Sequence, residues 1–266
     1  MEPTGSDDRR EAELLLMHAL GGERAWLYAH ATDPVDAAIR ERCASLLARR
    51  IAGEPLAYIT GCREFWSLNF AVTPEVLIPR AETELLVELA LQKIAQNRQV
   101  DIADLGTGSG AIGLAMASER PRARVLATDA SEPALAVAKS NAARLHIDNV
   151  EFALGHWCQA LGTRKFDLVI SNPPYVAAGD MHLYQGDLRF EPASALASGS
   201  DGLDAIREIC ATALAHLKPN AWLMLEHGYN QGLAVRQLLG ACGYSEIFTA
   251  LDLERRERAS GGRVLA

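Results

Sequence analysis

Two short segments carry residue types that can do chemistry. The first is Asp104-Leu105-Gly106-Thr107-Gly108-Ser109-Gly110. Three glycines at alternate positions let the backbone turn tightly and let a ligand approach without a Cβ in the way. The stretch that follows, AIGLAMASE, reads as a helix whose free N–H groups face that ligand. Gly108, Gly110 and Gly113 also spell GxGxxG, so a dinucleotide stands beside a single nucleoside as the ligand. Either ligand places Asp129, at the end of the strand RVLATD, where a carboxylate accepts from both ribose hydroxyls. Asp104, ahead of the first glycine, and the second segment separate the two.

That second segment is Ser171-Asn172-Pro173-Pro174-Tyr175, directly after the apolar run FDLVI. Two prolines forbid a central strand and fix a rigid extended turn. The carbonyls of Asn172 and Pro173 and the side-chain oxygen of Asn172 remain as acceptors, which suits a ligand NH2 group. Tyr175 offers a flat face to a planar group. Catalysis of transfer to an amide nitrogen, with Asn172, Pro173 and Tyr175 as the acting residues, is the chemistry these groups permit. No metal is called for, since the seven histidines form no ligand-like cluster. His227, in LEHG, is expected to be structural.

The elements that position these segments follow from periodicity. From about residue 100 the chain alternates apolar strands (VDIADL, RVLATD, NVEFAL, FDLVIS, WLMLEHG) with helical stretches, and SEIFTAL and GGRVLA close it. Such alternation predicts an α/β fold with a mostly parallel sheet covered on both faces, binding ligands outside the carboxyl ends of its strands. The first sixty residues read as helices instead. RREAELLLMHAL stops at Gly21 and Gly22. A second helix is expected from Pro34, capped by Asp33, with Ile39, Cys43, Leu46, Leu47 and Ile51 as its packing face and Gly53 as its end. EFWSLNFAV alternates as a short hairpin does, and ETELLVELALQKIAQ is helical.

Charge narrows the partners. Twenty-six Lys and Arg against thirty-four Asp and Glu give −8 over 266 residues, which disfavours tight binding to a nucleic-acid backbone. No apolar run reaches a membrane span, EPTGSDDRREAE does not resemble a signal peptide, and five scattered cysteines without CxxC indicate neither zinc nor disulfides. A cytoplasmic protein is the expectation.

With these residues in view, DLGTGSG, the acidic strand end and NPPY resemble class I S-adenosylmethionine-dependent methyltransferases acting on planar nitrogens. YITGCREFWSLNFAVTPEVLIPRAETELLVELA, NPPYVAAGDMHLYQGDLRFEPASALASGSDGL and LMLEHGYNQG are similar to the HemK/PrmC family, the peptide chain release factor N(5)-glutamine methyltransferases. The chain departs at Ala81, where that family usually has proline after IPR. The resemblance implies a Rossmann-like seven-stranded catalytic domain over 81–266, a β-hairpin linker over 61–80 and a small helical domain for partner recognition over 1–60. It implies methylation of the glutamine in the GGQ motif of class I release factors, and so a role in translation termination. It further implies S-adenosylmethionine as cofactor, held by Asp104, Gly106, Thr107, Gly108, Ser109, Gly110, Asp129, Trp157 and Asn172. Gly106 to Gly110 would wrap its methionine part, Asp129 hold its ribose and Trp157 border its adenine. The substrate glutamine would lie on Asn172, Pro173, Pro174 and Tyr175. A nucleic-acid N-methyltransferase would share these residues but should carry a basic face; a non-catalytic binding module would have no use for NPPY; and an NAD oxidoreductase would leave Asp104 and NPPY unexplained.

Overall fold

The computed structural model describes residues 5–265. Residues 1–4 and 266, the outermost positions of the expected helical and catalytic ranges, lie outside the described residues, as does the start of the segment EPTGSDDRREAE. The chain divides into two compact units, Met1–Cys62 and Arg63–Ala266.

The first unit holds helices α1 (Gly5–Leu20), α2 (Arg24–Ala29), α3 (Ala37–Ile51) and α4 (Leu56–Thr60). Leu15, Ala19, Leu46 and Ile59 form its core, with Cys43 and Leu56 packed against them. Helix α1 ends as expected, the N–H of Gly22 donating to the Met17 carbonyl at 3.2 Å. Helix α3 starts later than expected. Asp36, not Asp33, caps it by accepting from the Ala38 N–H at 2.8 Å, so Pro34 lies in the preceding turn. Its expected packing face is also narrower: Leu47 and Ile51 are 47% and 78% exposed. A core this small takes only the Cys43 and Leu46 side of the stripe.

The second unit opens with the hairpin β1 (Cys62–Phe65) and β2 (Leu68–Ala71). Trp66 and Ser67 both hold left-handed φ, 52° and 57°, which suits a two-residue hairpin turn. The hairpin expected as a linker packs as part of this unit. Phe65 and Phe70 are buried in one core with Leu86, Val87 and Leu114, and Asn141 hydrogen-bonds both backbone groups of Ala71. After a 3-10 turn at Ala81–Thr83 come α5 (Glu84–Lys93), β3 (Asp101–Leu105), α6 (Ala111–Glu119), β4 (Arg124–Asp129), α7 (Glu132–Leu145), β5 (Val150–Leu154) and β6 (Phe166–Ser171). Helix α8 (Asp204–Ala213), β7 (Leu217–Glu226), α9 (Gly232–Ala241), β8 (Ser245–Leu251) and β9 (Glu257–Arg263) complete it.

The seven strands run in the order β5-β4-β3-β6-β7-β9-β8. All neighbours from β5 to β7 pair in parallel, and β9 is antiparallel to both β7 and β8. One apolar core lies on each face of the sheet. From β3 the chain builds outward through β4 and β5, then returns to place β6 on the other side of β3. This switch in strand order opens a crevice at their carboxyl ends, where Leu105 pairs with Ser171. The two chemical segments follow those two residues directly.

Candidate active site

The glycine turn is built by positive backbone angles and by one buried acid. Gly106 and Gly108 hold φ of 69° and 56°, conformations that residues with a Cβ rarely adopt. The Thr107 N–H donates to the Thr128 carbonyl at 2.8 Å, which fastens the turn to β4. Asp104 lies fully buried underneath. Its Oδ2 accepts from the Thr107 hydroxyl at 2.6 Å and from the Gly113 N–H at 2.9 Å. Asp104 thus shapes the turn from below and is not part of the cavity wall, unlike the direct contact expected of it. Asp129 closes the turn from the next strand, its Oδ2 accepting from the Gly108 N–H and its Oδ1 from the Ser131 N–H, both at 2.9 Å. These bonds fix the carboxylate, which also lines the site's cavity.

Above the turn lies a cavity of about 440 Å³, the size of an ordinary small-molecule site. Of the expected residues, Gly106, Thr107, Gly108, Ser109, Asp129, Trp157, Asn172 and Pro174 line it. Asp104, Gly110, Pro173 and Tyr175 stand behind that wall. Trp157 holds a left-handed φ of 42°, a strained state that persists only where the surroundings enforce it. Its ring passes so close to the turn that a Cβ on Gly106 would come within 3.0 Å of it.

Asn172 donates its Nδ2 to the Thr83 hydroxyl at 3.2 Å, which leaves Oδ1 as the acceptor for a ligand. Tyr175 donates its hydroxyl to Glu226 Oε1 at 3.1 Å, so its phenol is committed and its ring is what remains to offer. Burial pushes the Tyr175 phenol well above its ordinary range. Behind the turn, Gln231 Nε2 donates to the Tyr175 carbonyl at 3.0 Å, and a Cβ on Gly202 would lie 2.2 Å from that oxygen. The position therefore admits no side chain.

Family models match both units. Residues 4–61 match the PrmC N-terminal domain and residues 81–200 the methyltransferase small domain. A release factor glutamine methyltransferase from Xylella fastidiosa (strain Temecula1) is 53% identical over 256 residues, covering 96% of this chain and 93% of that protein. The protein of the same name from Pseudomonas aeruginosa is 49% identical over 261 residues, covering 98% and 94%. The chain belongs to the release factor glutamine methyltransferase family. Solved structures agree on the fold: a methyltransferase from Pyrococcus furiosus superposes with a TM-score of 0.58 at 16% identity, over 84% of this chain and 100% of that one. The hMettl16 catalytic domain superposes at 0.60 and 17%, over 78% and 80%. The protein is thus a class I methyltransferase, an enzyme that takes its methyl group from S-adenosylmethionine.

The residues present fit that cofactor. Asp129 is a fixed carboxylate on the cavity wall, the glycine turn lines the cavity beside it, and Trp157 walls the slot beside Gly106. Sequence reasoning missed several residues of this methyltransferase site. Thr83, Arg80 and His156 line the cavity, and Arg80 pairs with the buried Glu191, which also accepts from the Ile78 N–H at 3.0 Å. The IPRAET segment carried the signal, but a charge at a helix start is usually structural. Asn141 joins the Ser109 carbonyl to the hairpin, a role that no local pattern marks. His227, expected to be structural, is buried between the Gly228 carbonyl and Ser260, with burial holding its imidazole below the ordinary value. Among the described residues no cluster of His, Cys, Asp and Glu could hold a metal, and no helix is long and apolar enough to cross a membrane.

The buried acid gives the methyltransferase a pH signature. Burial pushes Asp104 from 3.8 up to about 6, against the pull of Thr107 and Gly113. Between those two values the folded protein holds a proton that the unfolded chain releases, so stability falls as pH rises through that window and then levels off. Asp104→Asn has no such limb. Melting temperatures of the two proteins, compared from pH 4 to pH 7, should diverge in favour of the variant as pH rises; a constant gap refutes the assignment.

Proposed function

We propose that the chain transfers a methyl group from S-adenosylmethionine to the side-chain amide nitrogen of glutamine in class I peptide chain release factors. The observation that carries this reading is the Asn172 side chain at the cavity wall, its NH2 committed to Thr83 and its oxygen left to accept. An amide nitrogen is a poor nucleophile because its lone pair is delocalised into the carbonyl. Acceptors on its N–H bonds orient it and stabilise the positive charge that develops on nitrogen as the new bond forms. Asn172 supplies those acceptors through Oδ1 and its own carbonyl, and the two prolines that follow hold the turn rigid. Pro174, at the cavity wall, gives the substrate amide an apolar surface, and the Tyr175 ring supports the turn from behind. Bound S-adenosylmethionine supplies a methyl group activated by a sulfonium. Asp129, the glycine turn and Trp157 hold it, so catalysis is chiefly positioning. The nitrogen gains the methyl and gives up one proton to solvent.

The reading is tested with purified release factor and cofactor carrying a labelled methyl. Mass spectrometry should find one methyl on the glutamine of the GGQ motif and none when that glutamine is changed to Glu, which offers no NH2. Label in RNA, or on a residue other than glutamine, would overturn it. Residues 1–62 are proposed to recognise the release factor. Support comes from their separate core and from Trp26 and Tyr28, which are 46% and 55% exposed. Removing them should leave cofactor binding in place and lower methylation of intact release factor about tenfold or more, an interface contribution of ~1.4 kcal/mol or above. An unchanged rate would remove that role.

A further inference from the structure

Behind the 172–175 turn lies a carboxyl group that the methyl-transfer reading does not use. Glu226 ends β7, which pairs with β6 in the register Ser171 to Leu225, so Asn172 and Glu226 leave adjacent strand ends side by side. Glu226 is 1% exposed and stands outside the cavity wall. Its Oε1 accepts the Tyr175 hydroxyl at 3.1 Å, while its buried Oε2 accepts no hydrogen bond. Thr83, 4% exposed on the turn before α5, accepts the Asn172 Nδ2 at 3.2 Å, and its hydroxyl also acts on this carboxyl. Burial pushes the carboxyl up to about 7. The Thr83 and Tyr175 hydroxyls and the charge of Arg258 favour its ionised form, and Glu82 opposes it.

The arrangement solves a problem of polarity. A side-chain amide has nearly the same shape after a half-turn, so packing alone does not decide whether its oxygen or its NH2 faces the substrate. The partner's chemistry decides. Thr83 has one proton and two lone pairs, and a negative carboxylate nearby favours the hydroxyl orientation that points the proton toward the charge. Its oxygen is then presented to Asn172 as an acceptor, which takes the NH2 and turns Oδ1 to the cavity. Glu226 also accepts the hydrogen bond of the Tyr175 hydroxyl, so that donor does not compete for the turn's acceptors. A buried carboxyl with an unpartnered oxygen is costly, and an apolar residue would fill the same space more stably.

Resting on the methyl-transfer reading, we infer that Glu226 is a positioning residue that sets the hydrogen-bond polarity of the 172–175 turn, directly at Tyr175 and through Thr83 at Asn172. E226Q keeps the shape but replaces one acceptor oxygen by a donor. Its kcat on release factor should fall about 10–100-fold, with the KM for S-adenosylmethionine within roughly threefold of wild type. The decisive readout is a cycle. In a background of Asn172→Ala and Tyr175→Phe, the groups Glu226 orients are gone, so E226Q should cost less than about twofold more. Losses that simply multiply, or a wild-type kcat in E226Q, would overturn the inference. Should E226Q fail to fold, the same cycle runs with Thr83→Val against Asn172→Ala, and Thr83→Ser should restore the rate. Equal deficits in the Val and Ser variants would overturn the inference as well. A wild-type protein that leaves release factor unmethylated overturns the functional reading and this inference together; an active wild type with an indifferent Glu226 overturns this inference alone.

Discussion

Asn172→Ala is expected to lower single-turnover methylation of release factor on the order of 10²–10³-fold, the usual cost of removing one hydrogen-bonding group aimed at developing charge. The variant removes the Oδ1 acceptor and leaves Pro173, Pro174 and their carbonyls in place. The glycine turn is held independently by Asp104, Thr128 and Asp129, so it should survive intact. Cofactor binding should therefore weaken only by the loss of whatever Asn172 itself touches, and the loss should appear in kcat. Asn172→Asp is the subtler comparison, since it keeps an acceptor but adds a charge beside the carboxyl of Glu226, itself pushed up to about 7 by burial. It should fall between wild type and alanine. A wild-type rate in the alanine variant would reduce the 172–175 segment to a rigid proline turn.

Asp129→Ala should weaken binding of S-adenosylmethionine by roughly 1.5–3 kcal/mol, the range for hydrogen bonds to a charged group, or about 10–150-fold in Kd. The structure argues for the upper half of that range. The same carboxylate accepts from the Gly108 and Ser131 N–H groups, so its loss frees the turn as well as removing the proposed ribose acceptor. Calorimetry with S-adenosylmethionine and with NADH separates this site from a dinucleotide site. Wild type should bind the first and show no comparable affinity for the second, and Asp129→Ala should keep its fold. A Kd within about threefold of wild type would exclude Asp129 from the cofactor site, since that corresponds to under ~0.7 kcal/mol.

The glycine turn and the NPPY segment were legible because each couples residue type to a backbone requirement. A left-handed φ at Gly106 and Gly108 restricts those positions to glycine, and a donor-free rigid turn calls for proline, so the chemistry shows as a local string. The strands and helices of the catalytic unit were legible for a related reason. Continuous apolar runs bounded by glycine mark strands buried on both faces, and β4, α6 and α7 span the very runs RVLATD, AIGLAMASE and EPALAVAKSNAARL. The α3 cap was misplaced because Asp33 and Asp36 offer the same side chain three residues apart, and only the turn before the helix selects between them. Alternation marked the hairpin and the buried Phe65 and Phe70, but which core receives those rings was decided by the fold.

What the sequence by itself determined was the fold class, the two segments that meet at the sheet's switch point, and the family. Which of those residues form the cavity wall was decided by tertiary structure alone. Asp104 and Tyr175 stand behind it, while Thr83, Arg80 and His156 come forward. Glu226 and Asn141 gained their roles the same way, from partners such as Tyr175, 51 positions away, and Ala71, 70 positions away. A buried polar group must find a partner, and that partner is set by which strand ends and helices the fold brings together. Nothing in the spacing of LEHG or SNAA records that choice.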